Sequence, residues 1–114
     1  MTRYTVKERA TGAVLAEGVE NEQVRVFEGN LYFAPEAVNS ENLKVTDRTY
    51  TCPYKGVCYW IDLEGPGGLS ANIGWVYREP KAGYEFIKDQ WAFYNRETAG
   101  TQAVKEQAGE ANRS

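Results

Sequence analysis

Val57-Cys58-Tyr59-Trp60-Ile61-Asp62-Leu63 is the stretch that decides the fold class. Its β-branched and aromatic residues suit a pleated, half-buried strand. Just before it, Pro53-Tyr54-Lys55-Gly56 breaks the chain. Proline removes a ladder donor there, and glycine supports a positive φ. Further upstream, Leu43-Lys44-Val45-Thr46 alternates and Arg48-Thr49-Tyr50-Thr51-Cys52 is β-prone, so a hairpin folds about residues 53–56. Downstream, Glu64-Gly65-Pro66-Gly67-Gly68 reads as a loop. Asn72 to Tyr77 is the next strand, stopped by Glu79-Pro80.

The same reading extends to both ends. Tyr4–Arg9 and Ala13–Glu17 flank Thr11-Gly12 as a hairpin. Val24-Arg25-Val26-Phe27 turns through Glu28-Gly29-Asn30 into Leu31-Tyr32-Phe33. Pro35 opens a single helical turn through Val38, since proline is tolerated at the first helical position. Lys81–Lys88 fits a short helix or a turn, and Gln90–Tyr94 is a last strand. After Tyr94 the composition changes: residues 95–114 hold one large aliphatic residue, Val104, and no aromatic. Thr101 caps a short helix through Ala108 with Gly109 ending it, or the segment stays disordered. The expected architecture is mostly β: compact antiparallel sheets with one or two short helical turns. Residues 1–94 form one domain, and 95–114 form a polar tail.

Composition narrows the chemistry. The 114 residues include no His, which removes Ser-His-Asp and Cys-His catalysis and every His-containing metal site. Two Cys cannot complete a tetrahedral zinc site, so neither metal nor cofactor is expected. A net charge of −3 argues against bulk electrostatic binding to phosphate backbones and leaves room only for a small local basic patch. No apolar run approaches the roughly 20 residues that span a bilayer. The N-terminus alternates and is charged rather than carrying an apolar signal segment, so a cytoplasmic location is expected.

Three constellations stand out. An ammonium at Lys55 can lower the pKa of the Cys52 thiol and make it nucleophilic. The plainer reading is a tight turn with Cys52 as a small buried hydrophobe. A four-residue loop would pair Cys52 with Val57 and turn Cys58 to the opposite face, disfavouring a Cys52–Cys58 disulfide unless a bulge shifts the register. Trp75 and Tyr77 share one face of their strand, and Trp91 and Phe93 share one face of theirs. Such faces line either a core or a pocket for a flat ligand or a cation. Asp47, Asp62 and Asp89 are scattered, and Gly65-Pro66-Gly67-Gly68 lacks the Lys-Ser/Thr of a phosphate loop.

Taken in order, Phe33-Ala34-Pro35-Glu36-Ala37-Val38, Cys52-Pro53-Tyr54-Lys55-Gly56, Asn72-Ile73-Gly74-Trp75-Val76-Tyr77-Arg78-Glu79-Pro80 and Ala92-Phe93-Tyr94 resemble the bacterial domain-of-unknown-function 427 family. The resemblance covers roughly residues 24–94. Where the family often carries an acidic residue before the valine, this chain has Ala37. The resemblance implies a β-tent similar to methionine sulfoxide reductase B and the zinc-binding chaperone Mss-four. Those proteins usually carry paired C-x-x-C knuckles, which this chain lacks. The family's nucleotidyltransferase-like label would require paired metal-binding carboxylates, and none is found here.

The first functional expectation is a binding module for a small molecule or protein. Its pocket would be lined by Tyr32, Cys52, Tyr54, Lys55, Asn72, Trp75, Tyr77 and Tyr94. An alternative is an enzyme in which Cys52 acts as nucleophile or redox centre and Lys55 stabilises the thiolate. A third is a protein-interaction domain using edge strands or the tail. No nucleic-acid or membrane partner is expected, and the chain is expected to be a monomer or weak dimer.

Overall fold

A computed structural model describes residues 1–107. Its strands are β1 (Thr2–Glu8), β2 (Val14–Val19), β3 (Val24–Phe27), β4 (Asn30–Phe33), β5 (Leu43–Cys52), β6 (Gly56–Gly65), β7 (Gly68–Tyr77), β8 (Trp91–Tyr94) and β9 (Thr101–Gln107). Short 3₁₀ turns occupy Pro35–Ala37 and Glu85–Ile87, where proline at the first position and the ambiguous 81–88 segment placed them. The fold is mostly β, with two antiparallel sheets. The small sheet has the order β2-β1-β9 and the large one β3-β4-β8-β7-β6-β5. Among the described residues no helix is long and apolar enough to cross a membrane.

Period-2 alternation sorts the large sheet's side chains onto two faces. Leu31, Phe33, Ile61, Leu63, Ile73, Val76 and Phe93 pack against Tyr4, Val6, Leu15 and Ala16 of the small sheet. This is the inter-sheet core, and each such large side chain contributes roughly 1.5–3 kcal/mol by leaving water. The other face carries Tyr32, Cys52, Cys58, Trp75, Tyr77 and Ala92, flanked by Phe27, Trp60 and Tyr94, with Ile87 and Tyr84 from the segment before β8 packed on it. Among the described residues no second sheet covers it. That aromatic face, partly covered by Tyr84 and Ile87, is where the candidate site lies.

Two turns set its geometry. Glu28 and Gly29 both have positive φ (53° and 79°) and form the two-residue link between β3 and β4. That is the primed turn whose twist matches its strands. Between β5 and β6, Cys52 pairs with Gly56 rather than with Val57, so the loop is three residues long. Gly56 accommodates this with φ 107°. The shorter loop reverses the expected parity: Cys52 and Cys58 share a face, and both are free thiols.

Two further expectations are corrected. The segment Glu64–Gly68 is mostly strand: β6 runs through Gly65, β7 begins at Gly68, and only Pro66-Gly67 links them. Residues 101–107, expected as a helix or loose tail, form β9 along β1 from Thr2↔Gln107 to Glu8↔Thr101. Backbone pairing with a strand edge overrides the weak helical preference of Gln-Ala-Val-Lys-Glu-Gln. The expected helix end at Gly109 lies outside the described residues.

Candidate functional site

The packing on the aromatic face is incomplete. It leaves a cleft of about 160 Å³ lined by Glu28, Asn30, Tyr32, Tyr50, Lys55, Cys58, Trp60, Trp75, Tyr77 and Tyr94. The aromatic walls meet edge to face. Trp75 lies at 79° to Trp60, 82° to Tyr32 and 65° to Tyr94, with ring centroids 5.0–6.3 Å apart. Edge-to-face contact is the favoured geometry for aromatic pairs, and perpendicular walls leave an angular space between them. Register puts Trp60 directly opposite Trp75 and Trp75 opposite Ala92, whose small side chain makes room.

One end of the cleft is polar. Trp75 Nε1–H donates to Tyr32 Oη (3.1 Å), a buried bond that leaves the Tyr32 hydroxyl its own proton to donate. Burial pushes the Tyr32 phenol up, against the opposing effects of the Trp75 bond and the Lys55 charge. Burial likewise raises Tyr77 far above the ordinary phenol value, with the neighbouring Cys58, Tyr32 and Cys52 adding to it. Both phenols are therefore protonated donors throughout the physiological range.

Lys55 completes this end. Its ammonium pairs with the Glu28 carboxylate and lies 5.9 Å from the Phe27 ring centroid. The Lys55 side chain is only 13% exposed, whereas Glu28 is 49% exposed. Burial would lower the Lys55 pKa, but the bond to Glu28 and the carboxylate charge outweigh it and raise the value. The turn that carries Lys55 is strapped from outside. Lys81 N–H donates to Lys55 O (2.9 Å) and Lys81 Nζ to Pro53 O (3.0 Å).

The two thiols differ. Lys55 N–H donates to Cys52 Sγ at 3.4 Å. Burial opposes ionisation of Cys52, yet the backbone N–H groups of Lys55 and Tyr54 and the Lys55 charge bring its pKa below the ordinary value. Burial pushes the Cys58 thiol up. Among the described residues, no group of three or more His, Cys, Asp or Glu side chains is placed to hold a metal ion.

Of the residues singled out from sequence, Tyr32, Lys55, Trp75, Tyr77 and Tyr94 line the cleft. Cys52 packs in the same cluster behind it, without lining it. Tyr54 is 74% exposed at the turn and does not line the cleft. Asn72 sits elsewhere, on a β7 bulge at φ 57°, accepting from Arg48 Nη2 (2.7 Å). Glu28, Asn30, Tyr50, Cys58 and Trp60 were missed. Alternation already put Trp60 on the Cys58 face, so its neighbour Trp75 was the available signal.

A family model described as "Domain of unknown function (DUF427)" matches residues 1–104. Among solved structures, the crystal structure of the Mis18 "Yippee-like" domain is similar, with a TM-score of 0.64. That likeness covers 92% of this chain and 98% of that one at 12% identity, and it is a likeness of fold. No curated protein matches the chain.

Proposed function

The chain belongs to the DUF427 family, a domain of unknown function, and from that premise we propose that it is a binding module whose aromatic cleft receives a small flat molecule. One observation carries this reading. The large sheet's second face is as aromatic as a core, yet it leaves about 160 Å³ open beside the Lys55 ammonium and the Tyr32 and Tyr77 hydroxyls. A cavity of about 150 Å³ lined by apolar side chains holds a benzene, so the space suits one ring. Ligand sites typically combine apolar walls with a few placed polar groups. Tyr32, Tyr77 and Lys55 are those groups here.

The lowered pKa of Cys52 favours the enzyme alternative, but position argues against it. The thiol that ionises more readily does not line the cleft, and Cys58, which does, is held protonated. A nucleophile must reach its substrate. Binding without covalent chemistry is the better fit.

A fragment screen by NMR on the whole chain tests this. Single-ring fragments should shift signals of Tyr32, Trp60, Trp75, Tyr77 and Tyr94 together. Shifts confined to other surfaces, or none at all, would sink the reading.

A further inference from the structure

We propose that the cleft's ligand is a monocyclic aromatic carboxylate, and that Glu28 holds the place its carboxylate takes on Lys55. This rests on the binding-module reading and adds the ligand's chemical class.

The polar end is an arrangement of donors. Lys55 offers an ammonium and Tyr32 a hydroxyl proton, while the Tyr77 hydroxyl is shared with Cys58; the one charged acceptor there, the Glu28 carboxylate, is already taken by Lys55. Such a set recognises oxygen acceptors. It also disfavours a cation, which would otherwise suit an aromatic box. An entering ammonium would meet Lys55, and Arg96 already lies 4.8 Å from the Tyr94 ring centroid at the aromatic end.

The protein itself shows what sits best on Lys55, because a carboxylate is there already. That carboxylate is a loose occupant. Glu28 is at the tip of a two-residue turn and half-exposed, so it can swing into water at little cost. Lys55 cannot follow, because it is nearly buried and its turn is strapped by Lys81. A ligand carboxylate reaching Lys55 from inside the cleft would keep the ammonium paired while its ring fills the space between Trp60, Trp75 and Tyr94. Charge-assisted bonds of this kind are about twice as strong as neutral ones.

The test titrates the whole chain with benzoate, its neutral counterpart benzamide and the cation benzyltrimethylammonium, followed by NMR shifts of the cleft residues. Benzoate should bind roughly tenfold or more tighter than either of the others. Glu28→Gln should strengthen benzoate binding severalfold by removing the competitor. Lys55→Met should weaken it to the benzamide level, with circular dichroism reporting that the fold is kept. If Lys55→Met does not fold, the Glu28→Gln result and the ligand series decide the matter. Benzamide or the cation binding in the cleft as tightly as benzoate, or benzoate affinity unmoved by Glu28→Gln, overturns the carboxylate assignment while the binding module stands. Cleft signals unmoved by all three compounds overturn both.

Discussion

Lys55 and Glu28 stand on turns at opposite ends of one sheet, yet their side chains meet. Lys55 follows β5 and Glu28 follows β3, and these are the outermost strands of the large sheet. A flat sheet of that width would hold them far apart, since neighbouring strands lie about 4.8 Å from each other. Their contact means the sheet curls, and the aromatic face lines the inside of the curl. The cleft follows from that curvature.

The ion pair itself should add little stability. Half of it is exposed, and exposed pairs are worth about 0.2–1 kcal/mol. A double-mutant cycle of Lys55→Ala and Glu28→Ala, read by thermal unfolding, should give a coupling in that range. A coupling of several kcal/mol would mean the pair holds the curl closed rather than decorating it.

Ending the chain at Arg96 should be strongly destabilising. It removes β9, which pairs with β1 over seven residue pairs and buries Thr101 completely. With a net contribution of about 1 kcal/mol per hydrogen bond, the loss is on the order of several kcal/mol. Chemical denaturation should show a large drop in midpoint or a loss of cooperativity. A midpoint unchanged within error would show that the small sheet does not need its third strand.

Gly74→Ala should prevent native folding. A Cβ there would lie 2.3 Å from Ala92 O, a backbone atom of the paired strand β8 that cannot give way. The ladder that brings Trp75 against Ala92 would have to separate. Circular dichroism and one-dimensional NMR of the variant should show loss of dispersed structure. A folded variant with an intact cleft would mean that β7 and β8 can move apart cheaply.

Much of this architecture was legible in the sequence because strands announce themselves by alternation and turns by Gly and Pro. Trp75 and Tyr77 were placed together by period 2 alone. What escaped was set by loop length and by tertiary curvature. One residue fewer in the Pro53–Lys55 loop moved Cys58 to the face of Cys52. Glu28 lies 27 residues from Lys55, and nothing local connects them. β9 was invisible because its polar residues gain their strand from β1's unpaired edge. Asn72 was singled out through its neighbours, but its side chain serves a bulge.

Alkylation should separate the two thiols. Cys52 reacts as its thiolate, so its labelling by iodoacetamide should rise with pH around a midpoint below the ordinary thiol value of 9.0. Near-complete burial should nonetheless keep it slower than a free thiol at high pH. Cys58 should resist until the protein unfolds. Mass spectrometry of native protein labelled across pH checks both. Equal labelling of the two, or a Cys52 midpoint at or above 9.0, would remove the basis for distinguishing them.

Asp62 should make the protein acid-sensitive through one bulge. Its Oδ1 accepts from Asn72 N–H (2.9 Å), where the backbone takes a left-handed φ of 57°, and from Arg48 of the edge strand β5. The carboxylate thus ties β5, β6 and β7 where their registers shift together. Burial alone would raise its pKa, but the Arg48 bond, the Asn72 N–H and the Arg48 charge bring it below the ordinary 3.8. The folded protein therefore binds this proton less readily than the unfolded chain does. The resulting stability is fully present above the unfolded value and is lost as pH falls through the folded one. Asp62→Asn keeps an acceptor for Asn72 but cannot lose a charge. Denaturant unfolding should find it less stable than the native protein at pH 7, with the gap narrowing as pH drops through and below 3.8. A gap constant from pH 7 to pH 2.5 would mean that the carboxylate's charge contributes nothing to holding the three strands together.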